Sequence, residues 1–187
     1  MTIRTLGALA LGFALSGCQP PVEAPPVSPE SVFFLVRHAE KADQSEDPPL
    51  TEAGRARAEA LARMLMDAGV DGVFSSDFER TRDTAAPLAR HLGLEVSPYD
   101  PTALADLAKT LRASPGRYLV VGHSNTTPEL AGLLGGEPGP PIPEAEYDRL
   151  YVLLHRPGEG TSTIVLRLAP GQDGESRGPG DGGEERE

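Results

Sequence analysis

Two arginines and two histidines in the middle of the chain are the residues whose types and positions could do chemistry. Arg37 and His38 are adjacent in SVFFLVRHAEK, Ser31 to Lys41; Arg80 lies in VFSSDFERTRDTAA, Val73 to Ala86; His123 lies in YLVVGHSN, Tyr118 to Asn125. The spacing is nearly even, with 42 residues from His38 to Arg80 and 43 from Arg80 to His123. A guanidinium offers a planar fork of donors suited to oxyanions, and an imidazole can accept, donate or attack near neutral pH. A single histidine after an apolar run is ordinarily a satisfied loop residue. Here half of the four histidines in the chain stand in that position, one of them beside an arginine, which points to an anion-binding functional site.

The elements that must deliver these groups follow from the apolar runs. Val32 to Val36 is a short unbroken apolar stretch rich in Val and Phe, which suits a parallel strand covered on both faces. Ligands of open α/β sheets bind beyond the carboxyl ends of such strands, where Arg37 and His38 would stand. Tyr118 to Val121 repeats the pattern, ending in Gly122, a residue that allows close backbone approach, before His123. Val73 and Phe74 read as a third strand, followed by the polar turn Ser75, Ser76, Asp77 with N-capping potential and by Arg80 in the first turn of a helix. Exposed N–H groups and the helix dipole attract anions there. Arg82 reads as a solvated helix arginine.

The remaining elements complete a layered domain. A helix is expected from near Thr51, with Ala58, Leu61, Ala62, Leu65 and Gly69 as one apolar stripe. Leu94 to Val96 reads as a strand and Thr102 to Leu111 as a helix. Pro128 to Leu134 reads as a helix capped by Thr127 with Pro128 in its first position. Leu150 to Leu154 and Ile164 to Leu168 read as late strands. This order predicts an α/β fold of three layers, α/β/α, with a mainly parallel central sheet and a different edge.

The motifs FFLVRHAEK, LTEAGRARAEALA (Leu50 to Ala62), SSDFERTRDTA (Ser75 to Ala85) and VVGHSN (Val120 to Asn125), in that order and at that spacing, resemble the histidine phosphatase superfamily. This is the phosphoglycerate mutase-like group, and its short SixA-like branch in particular. The resemblance implies a metal-independent phosphatase without a cofactor, acting on phosphomonoesters or phosphohistidine. His38 would be the nucleophile that forms a phosphohistidine, and Arg37, Arg80 and His123 the phosphate pocket, with Asn125 assisting. The resemblance also implies a proton donor between the Arg80 and His123 motifs, and Asp100 in SPYDP is the best-placed acid; Asp106 reads as helix surface. Glu40 reads as a partner of Lys41 or a loop cap, and Ala39 stands where glycine is common in the family. The short stretch from Arg80 to His123 leaves no room for the large cap insertion of mutases, so an open site is expected, suited to a phosphorylated small molecule or a phosphoprotein. A phosphomutase, or an inactive module that binds phosphorylated ligands, are the alternatives.

The flanks carry a separate message. Residues 1–17, with Arg4 and the apolar stretch Leu6 to Leu15, read as a signal peptide too short to span a bilayer. Leu15, Ser16, Gly17 and Cys18 resemble the lipobox of bacterial lipoproteins, and Cys18 is the only cysteine in the chain. Lipidation there would anchor an exported cell-envelope protein to a membrane. Residues 18–30 are a proline-rich tether, 31–169 the catalytic domain, and 170–187 an acidic Gly-rich tail expected to be disordered. The net charge of −11 argues against nucleic acid as a partner, and makes Arg37, Arg80 and Lys41 a local exception of the kind a phosphate pocket needs.

Overall fold

A computed structural model describes residues 30–168. The expected leader, Cys18, the tether and the acidic tail lie outside the described residues. The elements in order are β1 (Ser31–Arg37), α1 (Glu52–Leu65), β2 (Gly72–Ser76), α2 (Glu79–Leu92), β3 (Val96–Tyr99) and α3 (Leu104–Ala113). They are followed by β4 (Arg117–Gly122), α4 (Thr126–Leu133), β5 (Arg149–Arg156) and β6 (Gly160–Arg167). One sheet carries the strand order β3-β2-β4-β1-β5-β6, with β1 to β4 mutually parallel and β5 and β6 antiparallel. Among the described residues no helix is long and apolar enough to cross a membrane.

The alternation of β1 explains the layers. Phe34 and Val36 face a core built with Leu61 and Leu65 of α1 and Leu88 of α2. Phe33 and Leu35 face a second core built with Leu104, Leu107 and Leu111 of α3 and Leu130 of α4. A strand with apolar residues on both faces must be covered twice, which produces the α/β/α sandwich read from the sequence. Burying each large aliphatic side chain stabilises by about 1.5–3 kcal/mol, so the central strands are fixed and their carboxyl ends are rigid platforms.

Several boundaries differ from expectation for identifiable reasons. The third strand begins at Val96 rather than Leu94, because Gly93 adopts φ +67° and the Leu94 N–H still bonds the carbonyl of Ala89 as part of the α2 terminus. In α1, Ala58, Leu61, Ala62 and Leu65 are buried, whereas Gly69 lies past the helix end at φ +68°, exposed. α4 begins at Thr126, not Pro128. Thr127 does not cap it, since its hydroxyl donates to the carbonyl of Val36 at 3.2 Å and ties α4 to the end of β1. Ser75, Ser76 and Asp77 do not cap α2 either. The cap position is Phe78, and the free N–H of Glu79 is taken by Asp47 Oδ1 at 2.7 Å, reaching over from the loop after β1.

Candidate active site

β1 and β4 are neighbours, with Arg37 paired to Gly122, so their ends deliver His38 and His123 side by side; the ring centroids are 5.5 Å apart. The close approach is written into Gly122. A Cβ there would lie 2.8 Å from Thr126 Oγ1 and 2.9 Å from the Tyr99 hydroxyl, distances that real methyl groups do not occupy. His38 donates its backbone N–H to the carbonyl of Gly122 at 2.9 Å, and the backbone N–H of His123 donates to Thr126 Oγ1 at 2.9 Å. The turn after β1 is clamped as well: Ala39 N–H donates to Thr84 Oγ1 at 3.0 Å. Gly54 of the LTEAG segment abuts the backbone of Glu40 so tightly that a Cβ would overlap it.

The two rings are held differently. His38 Nδ1 lies 2.8 Å from the carbonyl oxygen of Ala39. A carbonyl only accepts, so the neutral ring carries its proton on Nδ1 and keeps a lone pair on Nε2. His123 Nε2 lies 2.9 Å from Ser76 Oγ, a hydroxyl that can accept or donate. Burial lowers both histidines to about 4, with the positive charges of Arg37 and Arg80 acting in the same direction; for His38 the bond to Ala39 works the other way. Both are therefore neutral at physiological pH.

The two arginines complete a cavity of about 420 Å³ lined by Arg37, His38, Lys41, Phe78, Arg80, Pro101, Thr102, His123, Ser124, Asn125, Thr126 and Glu144. Arg37 is buried, with its Nη1 donating to the carbonyls of Pro143, Glu144 and Glu146 at 2.8–3.0 Å and its guanidinium 4.2 Å over the ring of Tyr147. Arg80 stacks 4.4 Å over Phe78, and its Nη1 is 3.6 Å from Asp47 Oδ1. Each arginine retains a buried Nε donor with no partner among the described residues. An unmade bond at a buried guanidinium is costly, and an oxyanion in this cavity would supply it.

Four of the candidate residues, Arg37, His38, Arg80 and His123, are thus brought together, and Asn125 joins the lining as an exposed residue before α4. Asp100 is placed elsewhere. It is exposed and does not line the cavity. Its Oδ1 accepts from Thr102 N–H at 2.8 Å and Thr102 Oγ1 at 2.7 Å, which holds its carboxyl below the usual range. A proton donor needs the opposite, reach and a raised pKa, so this geometry does not suit Asp100 to that role. Asp106 is surface, as read. Glu40 pairs with Arg57, not Lys41, at 2.6–3.0 Å. Arg82 is half-exposed and paired with Asp77.

Sequence reasoning missed the loop before β5. Among the described residues Glu144 is the one carboxylic acid lining the cavity, with Oε2 3.0 Å from Arg37 Nη2 and Oε1 3.4 Å from Lys41 Nζ. The signal was the acidic and aromatic PEAEY segment immediately before a strand. Antiparallel pairing of β5 with β1, Leu150 opposite Val36, brings that segment to the end of β1.

Residues 33–101 match the family model described as the histidine phosphatase superfamily, branch 1. That segment contains Arg37, His38, Arg80 and Asp100, and His123 follows it. Among curated proteins the chain is 34% identical over 84 residues to one named "Probable phosphatase C1687.21" from Schizosaccharomyces pombe. The match takes in 41% of this chain, and the chain spans only 37% of that relative's length. Among solved structures, the protein histidine phosphatase SixA complexed with tungstate superposes with a TM-score of 0.59 at 18% identity, over 74% of this chain and 97% of the other. The mycobacterial glucosyl-3-phosphoglycerate phosphatase does so with a TM-score of 0.58 at 16% identity, over 74% and 98%. At such identities these likenesses speak for the fold. With the family motifs in their matched positions on that fold, residues 33–101 are similar to the histidine phosphatase superfamily, branch 1.

Proposed function

We propose that the chain is a metal-independent phosphatase that transfers the phosphoryl group of a phosphomonoester or phosphoramidate to His38 Nε2 and then to water. The observation that carries this reading is one cavity holding a neutral, tautomerically fixed imidazole next to two guanidinium groups with unpartnered buried Nε donors.

The chemistry follows the charge. A transferring phosphoryl group spreads its charge over three equatorial oxygens, and catalysis rests on positioning and preorganised positive groups. Arg37 and Arg80 grip these oxygens. His123 can donate from Nδ1–H in the tautomer in which the Ser76 hydroxyl turns from Thr81 Oγ1 to donate to His123 Nε2. The lone pair of His38 Nε2 attacks phosphorus, the bond to the leaving group breaks, and the ring becomes an N-phosphorylated imidazolium whose Nδ1–H stays on the Ala39 carbonyl. Water then attacks the same phosphorus, releasing inorganic phosphate and restoring neutral His38. The leaving oxygen of an ester takes a proton from solvent, since Arg37 and Lys41 hold the Glu144 carboxyl below the usual range, whereas a phosphoramidate demands less help. Matching relatives named as phosphatases support the reaction class. On the lipobox resemblance we also infer that Cys18 is lipidated, which intact-mass measurement of the mature protein would check by an acyl-sized increment.

The test is release of inorganic phosphate by the full chain, with EDTA present, from 4-nitrophenyl phosphate and from a phosphoramidate. A 32P label trapped by rapid quench should be acid-labile and base-stable. Turnover without a trapped phosphohistidine would remove the covalent route. Tight vanadate binding without turnover would leave a phospho-ligand binding module.

A further inference from the structure

The two phosphate-gripping arginines share a feature that the transfer chemistry does not use: each has a carboxylate on it. Glu144 is 3.0 Å from Arg37 and also reaches Lys41. Asp47 is 3.6 Å from Arg80. Among the described residues Lys41 is the one lysine lining the cavity, and it is the group that a second anionic substituent would seek. Its ammonium is already shared between Glu144 and Gln44 Oε1 at 2.9 Å.

We propose that Glu144, assisted by Asp47, is the specificity-determining residue of this site. Together they admit phosphoryl groups whose leaving portion is neutral or cationic, and they disfavour substrates with a second anionic group near the phosphate. The inference rests on the phosphatase reading for its substrate chemistry, but its charge argument is independent of turnover. With both histidines neutral, Arg37, Lys41 and Arg80 against Glu144 and Asp47 leave one net positive charge in and beside the cavity. A phosphate dianion brings the balance to about −1. A neighbouring carboxylate or second phosphate drives it further negative with no unpaired lining cation among the described residues to meet it, and like charges in such proximity repel. A substituted ammonium instead brings the balance to zero.

The loop that presents Glu144 is held by backbone rather than by that carboxylate. Three carbonyls, those of Pro143, Glu144 and Glu146, bond Arg37 Nη1. Removing the charge at position 144 therefore leaves the arginine positioned. Glu144 is well exposed, so its reach is screened by salt and its influence is moderate.

The experiment compares phosphocholine, phenyl phosphate and 3-phosphoglycerate as cationic, neutral and anionic probes, using the full chain and the variants Glu144→Gln, Glu144→Lys and Asp47→Asn. In wild type, kcat/KM should rank phosphocholine above 3-phosphoglycerate relative to their rates of uncatalysed cleavage. Glu144→Gln should move that ratio toward the anionic probe by about threefold to tenfold, Glu144→Lys further, and Asp47→Asn less. Sodium chloride at high concentration should compress the wild-type preference. An unchanged ratio in both Glu144 variants, with melting temperatures matching wild type, overturns the proposal. If nothing is turned over, calorimetric Kd values for the same probes decide it: a ratio shifted by Glu144→Gln upholds the charge filter while the phosphatase reading falls, and an unshifted ratio or absent binding sinks the filter too.

Discussion

The ends of β1 and β4 are nearly the same piece of architecture, and the difference between them separates two roles. Both are buried parallel strands that deliver a histidine past their last ladder residue, and in both burial drives the imidazole to about 4. His38 leans on a backbone carbonyl, which allows one tautomer and one free lone pair. His123 leans on the hydroxyl of Ser76, which can switch between donor and acceptor as charge develops. A fixed partner suits a nucleophile. An adaptable partner suits a group that must serve both the free and the charged state of a phosphoryl group.

The largest effect should come from breaking the first end. His38→Ala is expected to reduce phosphate release to background and to abolish the trapped phosphoenzyme, while thermal unfolding stays cooperative. Appreciable residual turnover would move the nucleophile elsewhere. Breaking the second end should cost less. His123→Asn is expected to lower kcat/KM by about 10²–10³, the usual size for loss of one charge-stabilising donor, with the phosphoenzyme still detectable by quench.

The shared burial of the two rings carries a stability consequence. Their folded pKa values, about 4, lie below the ordinary 6.5, so between those limits the unfolded chain binds more protons than the folded one. Stability therefore falls as pH drops from about 6.5 toward 4 and levels off below it. Urea midpoints at pH 7 and pH 4.5 should differ in this direction by several kcal/mol when converted, and the doubly substituted His38→Asn, His123→Asn chain should lose much of the difference. Equal slopes in both chains would show that other groups, the carboxylates above all, account for it.

Gly122→Ala probes the close approach that keeps the two ends together. The added methyl would press on Thr126 Oγ1 and the Tyr99 hydroxyl, and overpacking of this kind costs about 1–3 kcal/mol. Denaturant melts should report that loss, and activity at permissive temperature should fall because the His123 backbone bond to Thr126 is strained. Wild-type stability would mean the turn relaxes freely.

The sequence disclosed this half of the site because its physics is local in the chain. FFLVRH and VVGH are each a two-faced apolar strand ending in a charged or titratable group, and period and length alone identify them. The antiparallel edge was less legible. Leu150 to Leu154 reads as a strand, but nothing local states that it pairs with β1, and only that pairing brings Glu144 and Tyr147 to Arg37. The caps failed for a related reason. Ser76 and Thr127 have the chemistry of N-caps, yet tertiary partners, His123 and the Val36 carbonyl, take their hydroxyls instead. Asp100 has the chemistry of an available acid, yet the preference of Asp for bonding the backbone two residues on turns its carboxylate to Thr102.

Ser76→Ala is the mildest change and the sharpest for the comparison. Ser76 is fully buried, and its Oγ bridges His123 Nε2 and Thr81 Oγ1. Alanine fills nearly the same space, so the fold should tolerate it, but His123 loses the partner that biases its tautomer. A positioning partner of this kind is worth about tenfold, and the loss should appear in kcat more than in KM, since orientation matters most where charge develops. The 15N shifts of the two rings separate this account from simple packing. His123 should drift toward a mixture of tautomers in the variant, whereas His38, tied to the Ala39 carbonyl, should keep its Nδ1 proton. If both rings and the rate are unchanged, the hydroxyl only fills space, and the two strand ends are more alike than their hydrogen bonds suggest.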